Sequence, residues 1–243
     1  MTAASMSDPP RTIAIIPARG GSKRIPRKNI KPFCGVPLLA RTVGLLQSTD
    51  LFARIIVSTD DREIAEIALA AGAEVPFMRE AGLADDHTGT TAVIRDTIQR
   101  IEAVGWQCEL VCCVYPAAVL ASPETLAKCS RLAATGTYDY VLPVAPFRYP
   151  VQRGLRLSED HTCEMLWPAN FTRRSQDLEP VYHDAGQFYF GIRAAWLNER
   201  PFFGEKSRGV VVPHTQVQDI DTLDDWDRAE AIFATSRLCV EKA

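Results

Sequence analysis

Between Pro17 and Asn29 the chain carries two adjacent glycines, Gly20 and Gly21, among Arg19, Ser22, Lys23, Lys28 and Asn29. Glycines let a backbone bring its N–H groups against phosphate oxygens, and the cationic side chains can neutralise several negative charges. The spacing is neither GxxxxGK[ST] nor GxGxxG, so the usual P-loop and dinucleotide motifs do not apply. A triphosphate or a sugar phosphate is the expected occupant, with a solvated basic loop as the plainer alternative. The charge runs further than the loop: from Arg11 to Arg41 there are eight basic residues and no acidic one.

The opposite pattern appears late in the chain. Val217–Glu230 holds Asp219, Asp221, Asp224, Asp225, Asp227 and Glu230 against a single Arg228. If Val217–Thr222 is extended, Asp219 and Asp221 project to one side, because side chains repeat every second position. Two carboxylates on one face suit Mg²⁺, which completes its octahedron with phosphate oxygens and water. Capping of the following helix by Asp221 or Thr222 competes with that reading, although it leaves Asp219 unexplained.

A third group is Asn170–Asp177 followed by Tyr182–Tyr189. Paired Arg173 and Arg174 can hold a carboxylate in fork geometry, and Gln176, His183, Asp184 and Gln187 can read hydroxyls or amides. A solvated loop leading into a strand is the alternative. Ser-His-Asp catalysis has no support, because no GxSxG elbow places a serine.

The elements that must position these groups follow from periodicity and breakers. Thr12–Pro17 is an isoleucine-rich run suited to a strand buried on both faces. The basic loop follows, and a helix begins at Pro37 in its first turn. Strands are expected at 54–59, 74–78, 110–115 and 140–144. Helices are expected from Asp60–Asp61 to Gly72, from about Thr91 to Val104, and from Ser122 onward. Strands alternating with helices at this spacing imply βαβ units and a mainly parallel sheet, with ligands outside the carboxyl ends of the strands. Residues 12–235 then form one domain, 147–191 an irregular insertion or arm, and 1–11 a frayed N-terminus.

Composition agrees with a sizeable globular domain: 243 residues, 47% hydrophobic and 23% charged. A net charge of -3 argues against nucleic-acid coating, and no run of roughly 18 apolar residues suggests a membrane span. Seven cysteines without a CxxC pair point to free thiols in a reducing cytoplasm, with Cys112 and Cys113 as small core residues.

The segments IIPARGGSKRIPRKNI, RIIVSTDDREIAE, RxxxLADDHTGT, RSQD, YHDAGQFY and QDID together resemble the acylneuraminate cytidylyltransferases, and most closely their pseudaminic acid branch. The resemblance runs from about Thr12 to Phe233. It implies a Rossmann-like, GT-A-like nucleotidyltransferase fold, and transfer of CMP from CTP to a nine-carbon 2-keto acid sugar with Mg²⁺, releasing pyrophosphate. It also implies that Arg19, Ser22, Lys23 and Lys28 hold the triphosphate, with Asn29 near the nucleotide and Arg79 touching CTP. Asp219 and Asp221 would be the metal carboxylates. A homodimer is implied in which the arm of one subunit covers the site of the other. Where sialic acid enzymes carry a Gln-Pro-Thr-like element, this chain has Tyr115-Pro116-Ala117-Ala118-Val119, which adds Tyr115 to the candidate sugar contacts and points away from ordinary sialic acid. A sialic or legionaminic acid acceptor, and a CTP-binding module without turnover, are the alternatives. All of this requires the basic residues from the start of the chain and the acidic ones near its end to meet across one cleft.

Overall fold

A strand with no polar side chain beyond its first residue belongs inside a sheet, and Thr12–Pro17 (β1) lies there, with Ile13, Ala14, Ile15 and Ile16 buried. In the computed structural model, which describes residues 11–84 and 88–240, β1 pairs in parallel with Arg54–Ser58 (β2) on one side and Leu110–Val114 (β3) on the other. Leu38–Gln47 (α1) makes the first crossover, and Arg62–Ala70 (α2) and Thr90–Ala103 (α3) make the second. Then come Pro123–Ala133 (α4), Tyr140–Pro146 (β4), Tyr182–Asp184 (β5), Phe188–Ile192 (β6), Arg193–Leu197 (α5), Ser207–Val211 (β7) and Leu223–Val240 (α6). The sheet order is β7-β4-β6-β3-β1-β2, with β5 paired to the far end of β4. β6 runs antiparallel to both β3 and β4, so the mainly parallel sheet is mixed at its centre.

Alternate residues of β1 serve opposite layers. Ala14 and Ile16 pack with Leu39, Val43, Ile64 and Leu126 of α1, α2 and α4, whereas Ile13 and Ile15 pack with Ile94, Ile98 and Ile101 of α3. A third cluster joins Ile25 and Phe33, after β1, to Ile220, Trp226 and Ala229 near the end of the chain. The Phe33 and Trp226 rings meet edge to face at 5.4 Å. Burial of such side chains contributes about 1.5–3 kcal/mol each.

The expected helix starts hold: Asp61 Oδ1 accepts the Ile64 N–H at 3.0 Å, and Ser122 Oγ accepts the Thr125 N–H at 3.1 Å. Pro37 precedes α1 as its cap residue rather than entering the first turn. The strand expected at 74–78 is reduced to a single bridge between Ile56 and Glu74. Pro76 has no N–H to continue a ladder, and the chain instead leaves to bring the Arg79 N–H to the Thr59 carbonyl at 2.7 Å. The irregular segment is shorter than expected. Residues 182–192 belong to the main sheet, and only 147–181 remain outside it, as 3₁₀ turns and a small hairpin of Leu155–Leu157 with Cys163–Met165. That segment exposes Tyr149, Leu155, Leu157, Trp167 and Phe171. The expectation for the N-terminal residues 1–10, and residues 85–87 of the RxxxLADDHTGT segment, lie outside the described residues.

Cys112 and Cys113 face opposite layers of the core. Burial pushes both thiols well above their usual range, and the Cys129 thiol up to about 12. Cys34 and Cys163 are exposed and outside any disulfide.

Gly191 sits where the sheet leaves no room for a side chain. A Cβ there would lie 2.4 Å from Trp196 Nε1 and 2.7 Å from Tyr140 Cε1, both fully buried side chains. Gly191→Ala is therefore expected to cost about 1–3 kcal/mol, read as a lower urea midpoint with an unchanged slope.

Candidate active site

The basic loop leaves β1 at the carboxyl edge of the sheet. Arg19, Ser22, Lys23, Arg24, Lys28 and Asn29 surround a hollow of about 190 Å³ closed below by Pro17 and Ile25. Asn29, almost fully buried, holds the loop together by donating from Nδ2 to the Arg19 carbonyl at 2.9 Å. The chain turns tightly at the paired glycines, the Ser22 N–H donating to the Gly20 carbonyl at 3.0 Å, without either glycine taking a positive φ. Gly20 is required by close approach, because a Cβ would stand 2.7 Å from Asp61 Oδ2, while Gly21 faces open space. The left-handed residue of the loop is Arg27, at φ 57°.

Arg79 lies beneath the loop, buried, with Nε donating to Ser58 Oγ at 3.1 Å and Nη2 donating to the Ser58 carbonyl. Burial lowers its pKa and Arg19 adds to that, while Asp60 and Asp96 oppose them. An arginine stays charged even so, which leaves a desolvated cation behind Arg19.

The acidic segment meets this loop directly. Arg24 Nη1 donates to Asp221 Oδ2 at 2.6 Å, Lys28 Nζ lies 3.7 Å from Asp221 Oδ1, and Lys28 Nζ donates to the Ile220 carbonyl at 2.6 Å. Gln218–Asp221 is extended loop rather than strand, yet it keeps the expected alternation: Ile220 is buried and the aspartates on either side face outward. Helix capping does not use those aspartates. Thr222 Oγ1 accepts the Asp225 N–H at 3.2 Å while Asp225 Oδ2 accepts the Thr222 N–H at 2.9 Å, a reciprocal box at the start of α6. Asp219 has no ion pair among the described residues. Its carboxyl is held above its ordinary range, first by partial burial and then by the Asp221 charge, with Lys28, the Ile220 N–H and Arg24 pulling the other way. The described residues hold no group of three or more acids, histidines or cysteines that could enclose a metal, so a cation such as Mg²⁺ held by the mutually repelling Asp219 and Asp221 would take its other ligands from phosphate and water.

Asp219 also borders a cleft of about 1060 Å³ that extends between the ends of β4 and β5 and the flank of α6. His183 and Asp184 line it with Phe147, Tyr149, His214 and Arg228. Asp184 is fixed from two sides, accepting the Gly186 N–H at 3.1 Å and the Tyr189 hydroxyl. His183 lies edge-on to Phe147, its Nδ1 2.8 Å from the Asp184 carbonyl. Tyr115 stands at the end of β3 with its hydroxyl 3.2 Å from Thr90 Oγ1 and its ring against Tyr189. Gln187 is nearly buried and donates to the Gln216 carbonyl, so it supports the cleft wall. Arg173, Arg174 and Gln176 are not brought to the cleft within one chain. They sit exposed on the 147–181 segment, where Arg173 bonds the Asp177 carbonyl and Gln176 borders a second hollow of about 400 Å³ that shares Phe147, Arg148 and Tyr149 with the cleft. Sequence reasoning missed Arg24, which the same basic run contained, and Phe147, His214 and Arg228, which carry no motif.

The mixed, mainly parallel sheet of this chain is a fold found in solved cytidylyltransferases. The chain shares its fold with CMP:2-keto-3-deoxy-manno-octonic acid synthetase, whose structure was solved with CTP, at a TM-score of 0.68 and 14% identity over 93% of this chain and 99% of that one. It shares it also with 4-diphosphocytidyl-2C-methyl-D-erythritol synthase from Anaerococcus prevotii, at a TM-score of 0.62 and 16% identity over 92% and 96%. The particular family follows from sequence: residues 13–152 match the cytidylyltransferase family, and the chain belongs to it. It is 38% identical to pseudaminic acid cytidylyltransferase of Campylobacter jejuni over 92% of this chain and 96% of that protein. It is 28% identical to CMP-N,N'-diacetyllegionaminic acid synthase of Legionella pneumophila over 92% and 96%. The protein is thus a nucleotidyltransferase enzyme.

The Asp219 environment makes a signed prediction. A carboxyl whose pKa is raised by folding destabilises the fold above that pKa, and the cost disappears as pH falls below the unfolded value. Asp219→Asn in a chelator is expected to raise Tm at pH 7 by about 1 °C, small because water screens the site. The gain should vanish near pH 3, as differential scanning calorimetry would register.

Proposed function

We propose that the enzyme transfers CMP from CTP to the anomeric 2-hydroxyl oxygen of a nonulosonic acid, with pseudaminic acid as the acceptor, and releases pyrophosphate. The observation that carries this reading is the junction of the basic loop with the acidic segment, where Lys28 touches both Ile220 and Asp221. The identity to pseudaminic acid cytidylyltransferase over nearly the whole chain supports the choice of sugar.

In this account Arg19, Lys23 and Lys28 receive the triphosphate, and Arg79 reinforces their field from below. The acceptor oxygen attacks the α-phosphorus in line, and the pyrophosphate leaves toward the basic loop. Crowded negative charge is the obstacle, so positioning and preorganised positive charge carry the catalysis. Asp219 and Asp221 would hold Mg²⁺, which when bound supplies further neutralisation of phosphate charge. Asp221 would then exchange its Arg24 partner for the ion. The large cleft beside Asp219 takes the sugar, with His183 and Asp184 offering hydrogen bonds and Phe147 and Tyr149 an apolar wall. Residues 147–181, with their exposed aromatic and leucine side chains, suit the contact of a homodimer in which Arg173, Arg174 and Gln176 reach the partner's cleft. The absence of any described helix long and apolar enough to cross a membrane is compatible with work in the cytoplasm.

Pyrophosphate release, measured with CTP and a panel of pseudaminic, legionaminic and sialic acids, is expected to be fastest with pseudaminic acid. A faster rate with either of the others reassigns the sugar, and binding of CTP without release under any acceptor leaves a non-catalytic module. Asp221→Asn is expected to abolish product formation while the fold survives. Lys23→Ala should lower kcat/KM for CTP about 10²-fold, as removal of one preorganised charge partner does.

A further inference from the structure

Three acidic residues, Asp60, Asp61 and Glu63, stand at the start of α2 against a loop read here as the seat of a polyanion. Long-range electrostatics alone makes that placement unfavourable for nucleotide binding, and the hydrogen bonds give it a reason. The Gly20 N–H donates to Asp60 Oδ1 at 3.0 Å. Seven residues along, the loop is tied down again: Arg27 Nη2 donates to Asp61 Oδ1 at 3.2 Å, Nη1 to Asp61 Oδ2, and Nη2 also to Glu63. Asp61 is itself held on two sides, because it caps α2 through the Ile64 N–H and its own N–H donates to Thr59 Oγ1 at 3.1 Å. The hydrogen bond from Arg27 is the largest influence holding its carboxyl below the usual range, as suits an acceptor that stays ionised.

The loop shows what this contact demands of it. Arg27 takes a left-handed backbone, φ 57° and ψ 29°, which a residue with a Cβ adopts only under constraint. Gly20 has no side chain because Asp61 occupies that space. Lys23 lies between these two anchors, and Arg19 and Lys28 lie one residue outside each.

We propose that Asp61 is a positioning residue for the nucleotide loop, acting through the planar fork of Arg27 to hold Arg19, Lys23 and Lys28 in the arrangement a triphosphate meets. The inference rests on the reading of this loop as the CTP site. Its signature is a reversal of sign. Removing a negative charge beside a polyanion site tightens binding if charge alone matters, whereas removing an anchor loosens it.

The test is CTP binding by calorimetry and steady-state kinetics of full-length wild type, Asp61→Asn, Arg27→Ala and the double variant. Asparagine retains the helix cap and the side-chain size. Asp61→Asn is expected to raise both Kd and KM for CTP about tenfold, with KM for the sugar acid within twofold of wild type. In the double variant it should add nothing to the effect of Arg27→Ala, because the one residue acts through the other. Unchanged or tighter CTP binding in a folded Asp61→Asn overturns the proposal, as do additive effects in the cycle. If Asp61→Asn does not fold, Arg27→Gln answers instead: a loss that fades at high salt is charge alone and overturns the proposal, and one that persists supports it. A wild type that binds no CTP sinks the reading of the loop itself, and is thereby distinguished from failure of the positioning role.

Discussion

The site depends on an apolar contact more than on its charges. Ile25 and Phe33 come from the basic segment, Ile220 and Trp226 from the acidic one, and they are buried together in a single cluster. Nearly two hundred residues separate the two segments, and closing a loop of that length carries an entropic cost that burial must offset. Once Ile220 is inserted, the aspartates on either side of it have to face the loop. The ion pairs with Arg24 and Lys28 follow from that insertion and add direction to it. Opposite charges at a half-exposed surface would not hold the segments together unaided.

The same arrangement explains why the carboxylates remain available. A run of acids before a helix is ordinarily consumed by the helix, and here Thr222 and Asp225 satisfy its first N–H groups between them. Asp219 and Asp221 are left with no structural duty toward α6. One borders the large cleft and the other touches the cationic loop, so the Asp-Ile-Asp segment is the seam between the two halves of the site.

What could be read from the sequence divides along physical lines. β1, β2 and β3 were legible because strands covered on both faces become apolar runs, and α2 and α4 because Asp61 and Ser122 are side-chain caps. β6 was hidden inside a stretch of mixed polar and aromatic residues, and nothing in Phe188–Ile192 encodes that it runs against its neighbours. The strand expected at 74–78 failed on Pro76, a local signal that apolar periodicity outweighed. In the site, the loop and the acidic pair stood out because like charges cluster in sequence there. The contacts of Gly20 with Asp60 and of Arg27 with Asp61 join residues 40 and 34 apart, and such pairings exist only once β1 and β2 are side by side. Phe147, His214 and Arg228 line the sugar-sized cleft from three separate elements, each unremarkable alone.

The distribution of thiols has a practical corollary. Cys112, Cys113 and Cys129 are sealed in the core and kept protonated, whereas Cys163 sits in the small hairpin of the 147–181 segment and Cys34 beside the loop that follows β1. A maleimide dye offered to the folded protein meets those two sulfurs long before the three core thiols. The projecting segment thus carries its own attachment point for a fluorophore, and its encounter with another molecule could be followed by energy transfer without introducing a foreign residue.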